Sequence, residues 1–427
     1  MTIRVPTKII GRTVDYNKED LTAEACDAMT LVQQEMLNNG AIRALSNGPN
    51  FLHWNKCLQK YLDDGATWNE LPWYVAETYV YHRLLEASGY WDPSAKGFGH
   101  DIFAKEKAEA LQQVLPQVAI RMDTCADAAG QWTTERFRSI LHMALWGNQG
   151  DSSLFTVSEM SAKGTADTAE NQNSRLLVDD TDFIFSHLDS SLDASRSEVH
   201  MFNDNSGMEL VSDLALVHFL LSSGKVAKVV MHLKPYPFFV SDAIPSDIDH
   251  TLSILSASAD ANQRNVAGKL REFIKEGSLV LTTSGAINNF LASPEPMWCM
   301  AAEVRGQLTA PVNANVALVI CKGDLMYRKL LGDRSWNADE SFADILSYFP
   351  CPVVALRTCK SPLAVGMQPG QEGRVAAVSP QWMVNGEYGM VQFSMPPPGA
   401  AVKVSEDNFQ VQYDAALLEQ QWSTIVQ

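Results

Sequence analysis

Between about residues 20 and 145 the apolar positions recur every three or four residues. The runs "LTAEACDAMTLVQQEML", "LPWYVAETYVYHRLLEASGY", "IFAKEKAEALQQVLPQVAIRM" and "TTERFRSILHMALWG" keep that spacing over long stretches, without β-branched alternation, which predicts helices. After residue 175 the pattern changes. Short β-rich runs appear: "SEVHMFND", "AKVVMHLKP" with "FFVSD", "GSLVLTTSG", "NVALVICKGD" and "CPVVALRT". Between them lie the helix-like stretches "GMELVSDLALVHFLLSSG" and "DANQRNVAGKLREFIKEG". Strands alternating with helices of this length predict βαβ units and a mostly parallel sheet, an α/β fold. Near the end, "GRVAAVSPQWMVNGEYGMVQFS" reads as an antiparallel addition with a tight turn at Asn385-Gly386. The polar segment 150–175 predicts a loop or an inter-domain crossing. It divides the chain into an N-terminal helical domain, 1–150, and an α/β domain, 151–427.

Composition narrows the class. The 427 residues, 46% of them hydrophobic, suffice for two domains, or one large one, around a sizeable core. A net charge of −17 argues against a nucleic-acid partner, which needs a basic face for phosphates. No basic run suggests an anionic membrane surface, and no apolar run approaches the roughly 18 residues of a membrane span. The N-terminus carries no apolar core with a cleavage site. The seven cysteines include no C-x-x-C pair, and the nine histidines form no H-x-x-x-H or H-E-x-x-H spacing. That pattern reads as reduced thiols, neither a disulfide framework nor a zinc site. The expectation is a soluble, cytoplasmic protein.

Candidate chemistry gathers where the predicted strands end, the side on which open parallel sheets bind ligands. "EVHMF" runs into Asp204-Asn205-Ser206-Gly207, "FFV" into Ser241-Asp242, and "LVL" into Thr282-Thr283-Ser284-Gly285. "ALVIC" is followed by Lys322-Gly323-Asp324 and "VVAL" by Arg357-Thr358-Cys359-Lys360. Hard oxygen ligands stand at two ends and cations at two others, which together describe a pocket for a metal ion and a phosphate. Asp204, the Asn205 carbonyl and Asp242 would ligate Mg²⁺ or Mn²⁺. Each feature also has a plainer explanation. Ser206 and Glu209 have the spacing of a capping box. Asp324 and Arg328 have that of a surface helix pair. Arg357 and Lys360 have the setting of a solvated loop, and no His lies near Cys359 to activate it. No P-loop is present, and no G-x-G-x-x-G follows a strand. Ser206 stands two beyond Asp204 where a D-x-D nucleophile pair would need Asp, which favours attack by metal-activated water.

The strings "LPWYVAETYVYHRLLEASGYWD", "LWGNQGDSSL", "LVDD", "DNSGMELVSDL", "PFFVSD", "KGDLMYRKLLGDRSW", "LRTCK" and "GMQPGQEGRVAAVSPQWMVNGEYGMVQF" run in order from about residue 70 to about residue 395. Together they resemble the metal-dependent damage-control phosphatases of the domain of unknown function 89 fold, in the subfamily with an R-T-x-K motif. The resemblance implies a three-layer α/β/α sheet domain capped by an N-terminal helical domain. It implies Mn²⁺, Co²⁺ or Ni²⁺ held by Asp204, Asn205 and Asp242. Substrate contacts would fall on Glu209, on Asp324, Leu325, Met326, Tyr327 and Arg328, and on Lys360, with Arg357 beside them in the strand-end set. Asp204, Asp242 and Asp324 are the catalytic candidates. The implied activity is hydrolysis of sugar phosphates, fructose 1-phosphate and fructose 6-phosphate among them, with a phosphorylated small molecule as the partner. The alternative is an S-adenosylmethionine-dependent protein-glutamate O-methyltransferase, although no Gly-rich loop follows the first strand. A third reading is a non-catalytic sugar-phosphate sensor. The chain departs from the family pattern at Met326, where Asn is usual, at Asn203, at His82 and after Lys360.

Overall fold

The N-terminal region is helical as its periodicity predicts, although the run "IFAKEKAEALQQVLPQVAIRM" breaks into two helices at Val114. The computed structural model describes residues 4–147, 174–190, 194–309 and 315–395, so residues 150–173 of the polar crossing lie outside the described residues. Over residues 4–147 the helices are α1 (Arg4–Asn17), α2 (Ala23–Leu37), α3 (Phe51–Asp63), α4 (Trp73–Ser88), α5 (Ala104–Gln113), α6 (Leu115–Ala128) and α7 (Thr134–Trp146). The Thr22 side chain accepts from Ala25 N at the start of α2, and Thr133 from Arg136 N at the start of α7. Helix α4 begins after Pro72 and closes on Gly89 in the left-handed conformation.

The remainder alternates as expected. In chain order it comprises β1 (Leu176–Asp179), α8 (Thr181–Ser190), β2 (Ser197–Phe202), α9 (Gly207–Ser222) and β3 (Lys228–His232). There follow α10 (Pro245–Ala257), α11 (Ala261–Glu276), β4 (Leu279–Thr282), α12 (Ala286–Leu291) and α13 (Ala302–Thr309). Last come β5 (Asn315–Lys322), α14 (Gly323–Leu330), α15 (Phe342–Ile345), β6 (Val353–Thr358), α16 (Gln371–Val378) and β7 (Gly389–Ser394). The strands form one sheet in the order β1-β7-β6-β5-β2-β3-β4. Strands β2 to β6 run parallel, whereas β7 is antiparallel to β6 and pairs in parallel with β1.

Alternation along the strands builds two cores. Leu318 and Ile320 of β5, with Val199 and Met201 of β2, face the core formed with α6, α7, α9, α10 and α11. Val319 and Cys321, with Phe202, face the other core, shared with α1–α4 and α12–α15. Covered on both faces, β2 has all six residues buried. Helix α9, sandwiched between the sheet and α6 and α7, is apolar nearly all round and buried along its length. The result is a mostly parallel α/β sheet between helical layers. Among the described residues no helix is long and apolar enough to cross a membrane.

Two expectations fail. The run "FFVSD" forms no strand, because Phe239 and Val240 both take positive φ, 48° and 59°, and turn the chain. "GRVAAV" lies in α16, so only β7 adds to the sheet, antiparallel to β6 as expected. Asn385-Gly386 sits in the turn before it, with Gly386 at φ 71°. The periodicity passed over α1, β1, α8 and α10.

Candidate active site

From β2 the sheet grows in two directions: β3 and β4 lie on one side, β5 and β6 on the other. The carboxyl ends of β2 and β5 therefore flank the switch point, where such sheets bind ligands. Phe202 pairs with Cys321 at the last rung, so Asn203-Asp204-Asn205 and Lys322-Gly323-Asp324 leave the sheet side by side. They are in close contact. A Cβ on Gly323 would fall 1.7 Å from Asp204 Oδ2, and Gly323 has φ +80°. Space and backbone conformation alike require glycine there.

Asp242 arrives from the loop after β3. Ser241 N donates to Phe239 O at 2.5 Å, closing a three-residue turn around Val240. A β-branched residue in that conformation stores strain, about 1–3 kcal/mol by the usual scale for such positions. The surroundings hold the turn in place. Asn205 and Asp242 form an antiparallel bridge. Ser206 N donates to Ser241 O at 2.6 Å, and Ala243 N to Asp204 O at 2.8 Å. Ser241 Oγ donates to Asn205 Oδ1 at 2.6 Å. Buried Lys234 lies 3.0 Å from Asp242 Oδ2 and donates to Asn203 O at 2.9 Å. Asp204, Asn205 and Asp242 are all buried.

The plainer explanations do not describe this geometry. Ser206 makes no side-chain cap on α9. Glu209 instead accepts from Asn205 Nδ2 at 2.8 Å, and the same amide donates to Asp204 Oδ2 at 3.0 Å. Arg328 pairs not with Asp324 but with Asp333, at 2.8 and 3.1 Å, and with Glu77 of α4 at 2.8 Å. Its guanidinium lies 3.9 Å from the Trp73 ring centroid. Arg357 is in β6 itself and fully buried. It donates to Asp324 Oδ1 at 2.6 Å, to the Leu363 carbonyl and to Ser361 O. Lys360 N donates to the same Asp324 oxygen at 3.2 Å. Cys359 is buried, and burial pushes its thiol up to about 11, so it stays protonated at neutral pH.

Beneath these groups Lys322 lies 3.1 Å from Glu209 Oε1 and 3.0 Å from Asp213 Oδ1. Burial opposes the Lys322 charge, and the Asp213 and Glu209 carboxylates more than offset it, raising its pKa. Burial also lifts the Asp213 carboxyl to about 7, with Glu209 repulsion adding to it. Glu77 is raised by burial against the pull of Arg328. Burial likewise opposes the Arg357 charge, and Asp324 more than offsets it.

Carboxylates and cations are packed together here: Glu77, Asp204, Glu209, Asp213, Asp242, Asp324 and Asp333 lie among Lys234, Lys322, Arg328, Arg357 and Lys360. Burial lifts Asp213 to about 7 and raises Glu77, so their negative charge is not fully present at neutral pH. The donors of Asp204, Asn205 and Asp242 are all oxygen, the chemistry a hard divalent cation takes. They fit such an ion.

The strand ends of β2, β5 and β6, with the 241–242 turn, thus bring together most of the predicted residues. Leu325, Met326 and Tyr327 are core residues of α14: Tyr327 donates to Gln392 Oε1 at 2.8 Å and Met326 is fully buried. Thr282 ends β4, the sheet's edge strand, away from the switch point. Sequence reasoning missed Glu77, Asp213, Lys234 and Asp333. Their one signal is a charged residue inside a run otherwise read as buried helix or strand end.

The model of the damage-control phosphatase ARMT1-like domain matches residues 6–375. The chain belongs to that family. The damage-control phosphatase ARMT1 of Danio rerio is 30% identical over 405 residues, spanning 90% of this chain and 88% of its own length. That of Bos taurus is 31% identical over 359 residues, 81% of this chain and 79% of its own. That of Homo sapiens is 30% identical over the same length and shares. Among solved structures, a DUF89 family protein of Pyrococcus horikoshii matches with a TM-score of 0.41 at 15% identity, covering 88% of this chain and 95% of its own. Family membership makes the chain a phosphatase by class.

Proposed function

We propose that this phosphatase is a metal-dependent phosphomonoesterase acting on small sugar phosphates, of the fructose 1-phosphate and fructose 6-phosphate class, in metabolite damage control. The observation that carries the reading is the buried oxygen set of Asp204, Asn205 and Asp242 at the switch point. When bound there, a divalent cation supplies Lewis acidity to the phosphoryl group and acidifies water. Helices α9 and α14 begin at the two adjoining strand ends, and their N-terminal amides favour a phosphate dianion. Arg328 and Lys360 offset charge on the phosphoryl oxygens, as loose phosphoryl-transfer transition states require. Asp324 accepts from Arg357 and from Lys360 N on Oδ1. Its Oδ2 is assigned to the attacking water or a sugar hydroxyl. Glu209, tied to Asn205 and Lys322, orients the metal-binding amide. Arg357 acts through Asp324.

The test is phosphate release from p-nitrophenyl phosphate and fructose 1-phosphate by EDTA-stripped protein, with Mn²⁺ or Co²⁺ added back. Restored turnover that Asp204→Ala lacks supports the proposal. No release from any sugar phosphate, by wild type and variant alike, overturns it.

A further inference from the structure

His53 and Cys57 stand one turn apart on α3 and share a face with Glu295, in the loop after α12. Cys57 Sγ lies 3.7 Å from His53 Nε2, and the same nitrogen lies 2.6 Å from Glu295 Oε2. The three donor atoms all fall within 4.8 Å of one another. We propose that these side chains form a second metal site, for Zn²⁺ or a similarly borderline-soft cation, joining α3 to the α/β part of the chain. It is independent of the strand-end site and of the reaction proposed there.

Geometry and donor type support this. With Zn–S near 2.3 Å and Zn–N near 2.05 Å, tetrahedral angles place sulfur and nitrogen about 3.6 Å apart. The 3.7 Å separation of Cys57 and His53 already matches. A nitrogen–oxygen edge is about 3.4 Å, so the Glu295 carboxylate would withdraw by about 0.8 Å from its present 2.6 Å. Its side chain is free enough to do so at 25% exposure, beside a His53 that is 48% exposed. The backbone beneath it is fixed. Buried Lys329 donates to Ser293 O at 2.8 Å and to Glu295 O at 2.7 Å, anchoring the loop that presents the carboxylate. Three protein ligands with an open side leave one position for water. Sulfur, imidazole and carboxylate together select zinc-like ions over Mg²⁺ or Ca²⁺. The chemistry balances: the S–H bond of Cys57 breaks, a sulfur–metal bond forms, and the proton goes to solvent. Burial, with Glu295 adding, pushes the Cys57 thiol up to about 12, so the metal-free protein keeps that proton.

The test is a Co²⁺ titration of the wild-type chain, followed by Zn²⁺. Co²⁺ added in excess of both sites should give a thiolate-to-cobalt charge-transfer band that Zn²⁺ displaces, which the all-oxygen strand-end site cannot produce. Cys57→Ser should abolish the band while leaving phosphatase turnover unchanged. His53→Gln, on a half-exposed side chain, should weaken Co²⁺ binding by at least about tenfold, and it serves should Cys57→Ser fail to fold. A folded protein that shows no thiolate band, or a band that survives Cys57→Ser or is indifferent to His53→Gln, overturns the proposal. The trio is then a His–Glu hydrogen bond beside a half-buried thiol.

Discussion

Gly323 concentrates the site's demands in one position. Alanine there would meet a left-handed backbone, costing about 1–2 kcal/mol, and a carboxylate oxygen 1.7 Å from its Cβ. Displacing Asp204 by about an ångström is enough to cost about a hundredfold in rate. Gly323→Ala should therefore lower both thermal stability and kcat, measured by calorimetry and by phosphate release. A Gly323→Ala enzyme with wild-type turnover would refute the role given to Asp204. Asp213 sets a pH dependence. In the unfolded chain its carboxyl ionises near 4, in line with about 3.9 for model peptides, whereas in the fold it does so at about 7. Between those values the native state holds a proton that the unfolded state has lost, so stability falls as pH rises from 5 to 7. Asp213→Asn should flatten that fall, read from urea unfolding of metal-stripped protein at the two pH values. An unchanged slope would mean another group titrates. Asp204 and Asp324 are legible in the sequence because apolar strands run straight into them. Asp213 is not, since nothing local shows that a helical carboxylate will meet Lys322 from β5.

Between elements, Arg328 is the joint. It reaches from α14 to Glu77 on α4 and to Asp333, under the face of Trp73. Lysine carries the charge but neither the planar fork nor the stacking. Arg328→Lys should cost about 2 kcal/mol or more in kcat/KM, the scale of a desolvated cation–π contact with its hydrogen bonds. It should also lower the Tm. A loss confined to Tm would leave Arg328 a structural staple only. The contact also marks what pattern reading leaves out. The helix carrying Glu77 is plain from its periodicity, but its partner lies 251 positions away. The same holds for the 239–242 turn. Phe-Phe-Val is strong strand composition, yet the bridge of Asn205 to Asp242 and the Ser241 bonds override it locally.

For the molecule as a whole, the order of layers follows from the alternation of helix and strand patterns, and the two-faced burial of β5 accounts for its continuous apolar run. The helices before β1 are not equivalent: α1–α4 share the core with α12–α15, and α6 and α7 share the opposite one. That division depends on which face of the sheet each helix meets, which no single helix's periodicity reveals. Because the strand-end ion would bind only the folded chain, it should stabilise the whole. At a hundredfold excess of Mn²⁺ over its Kd the gain is about 2.7 kcal/mol. Wild type should show a metal-dependent rise in Tm and Asp204→Ala none. Equal shifts in both would place the stabilising ion elsewhere, and Cys57→Ser would show whether it sits on α3.

The pairing of β2 with β5 also bears on how the chain is made. Strand β3 follows β2 closely, but β2's other neighbour is not synthesised until Asn315 onward. Until then Ser197–Phe202 presents an open hydrogen-bonding edge, beside acidic groups still lacking Lys322. A nascent or truncated chain ending before Asn315 should behave as an aggregation-prone, chaperone-dependent species rather than a smaller enzyme.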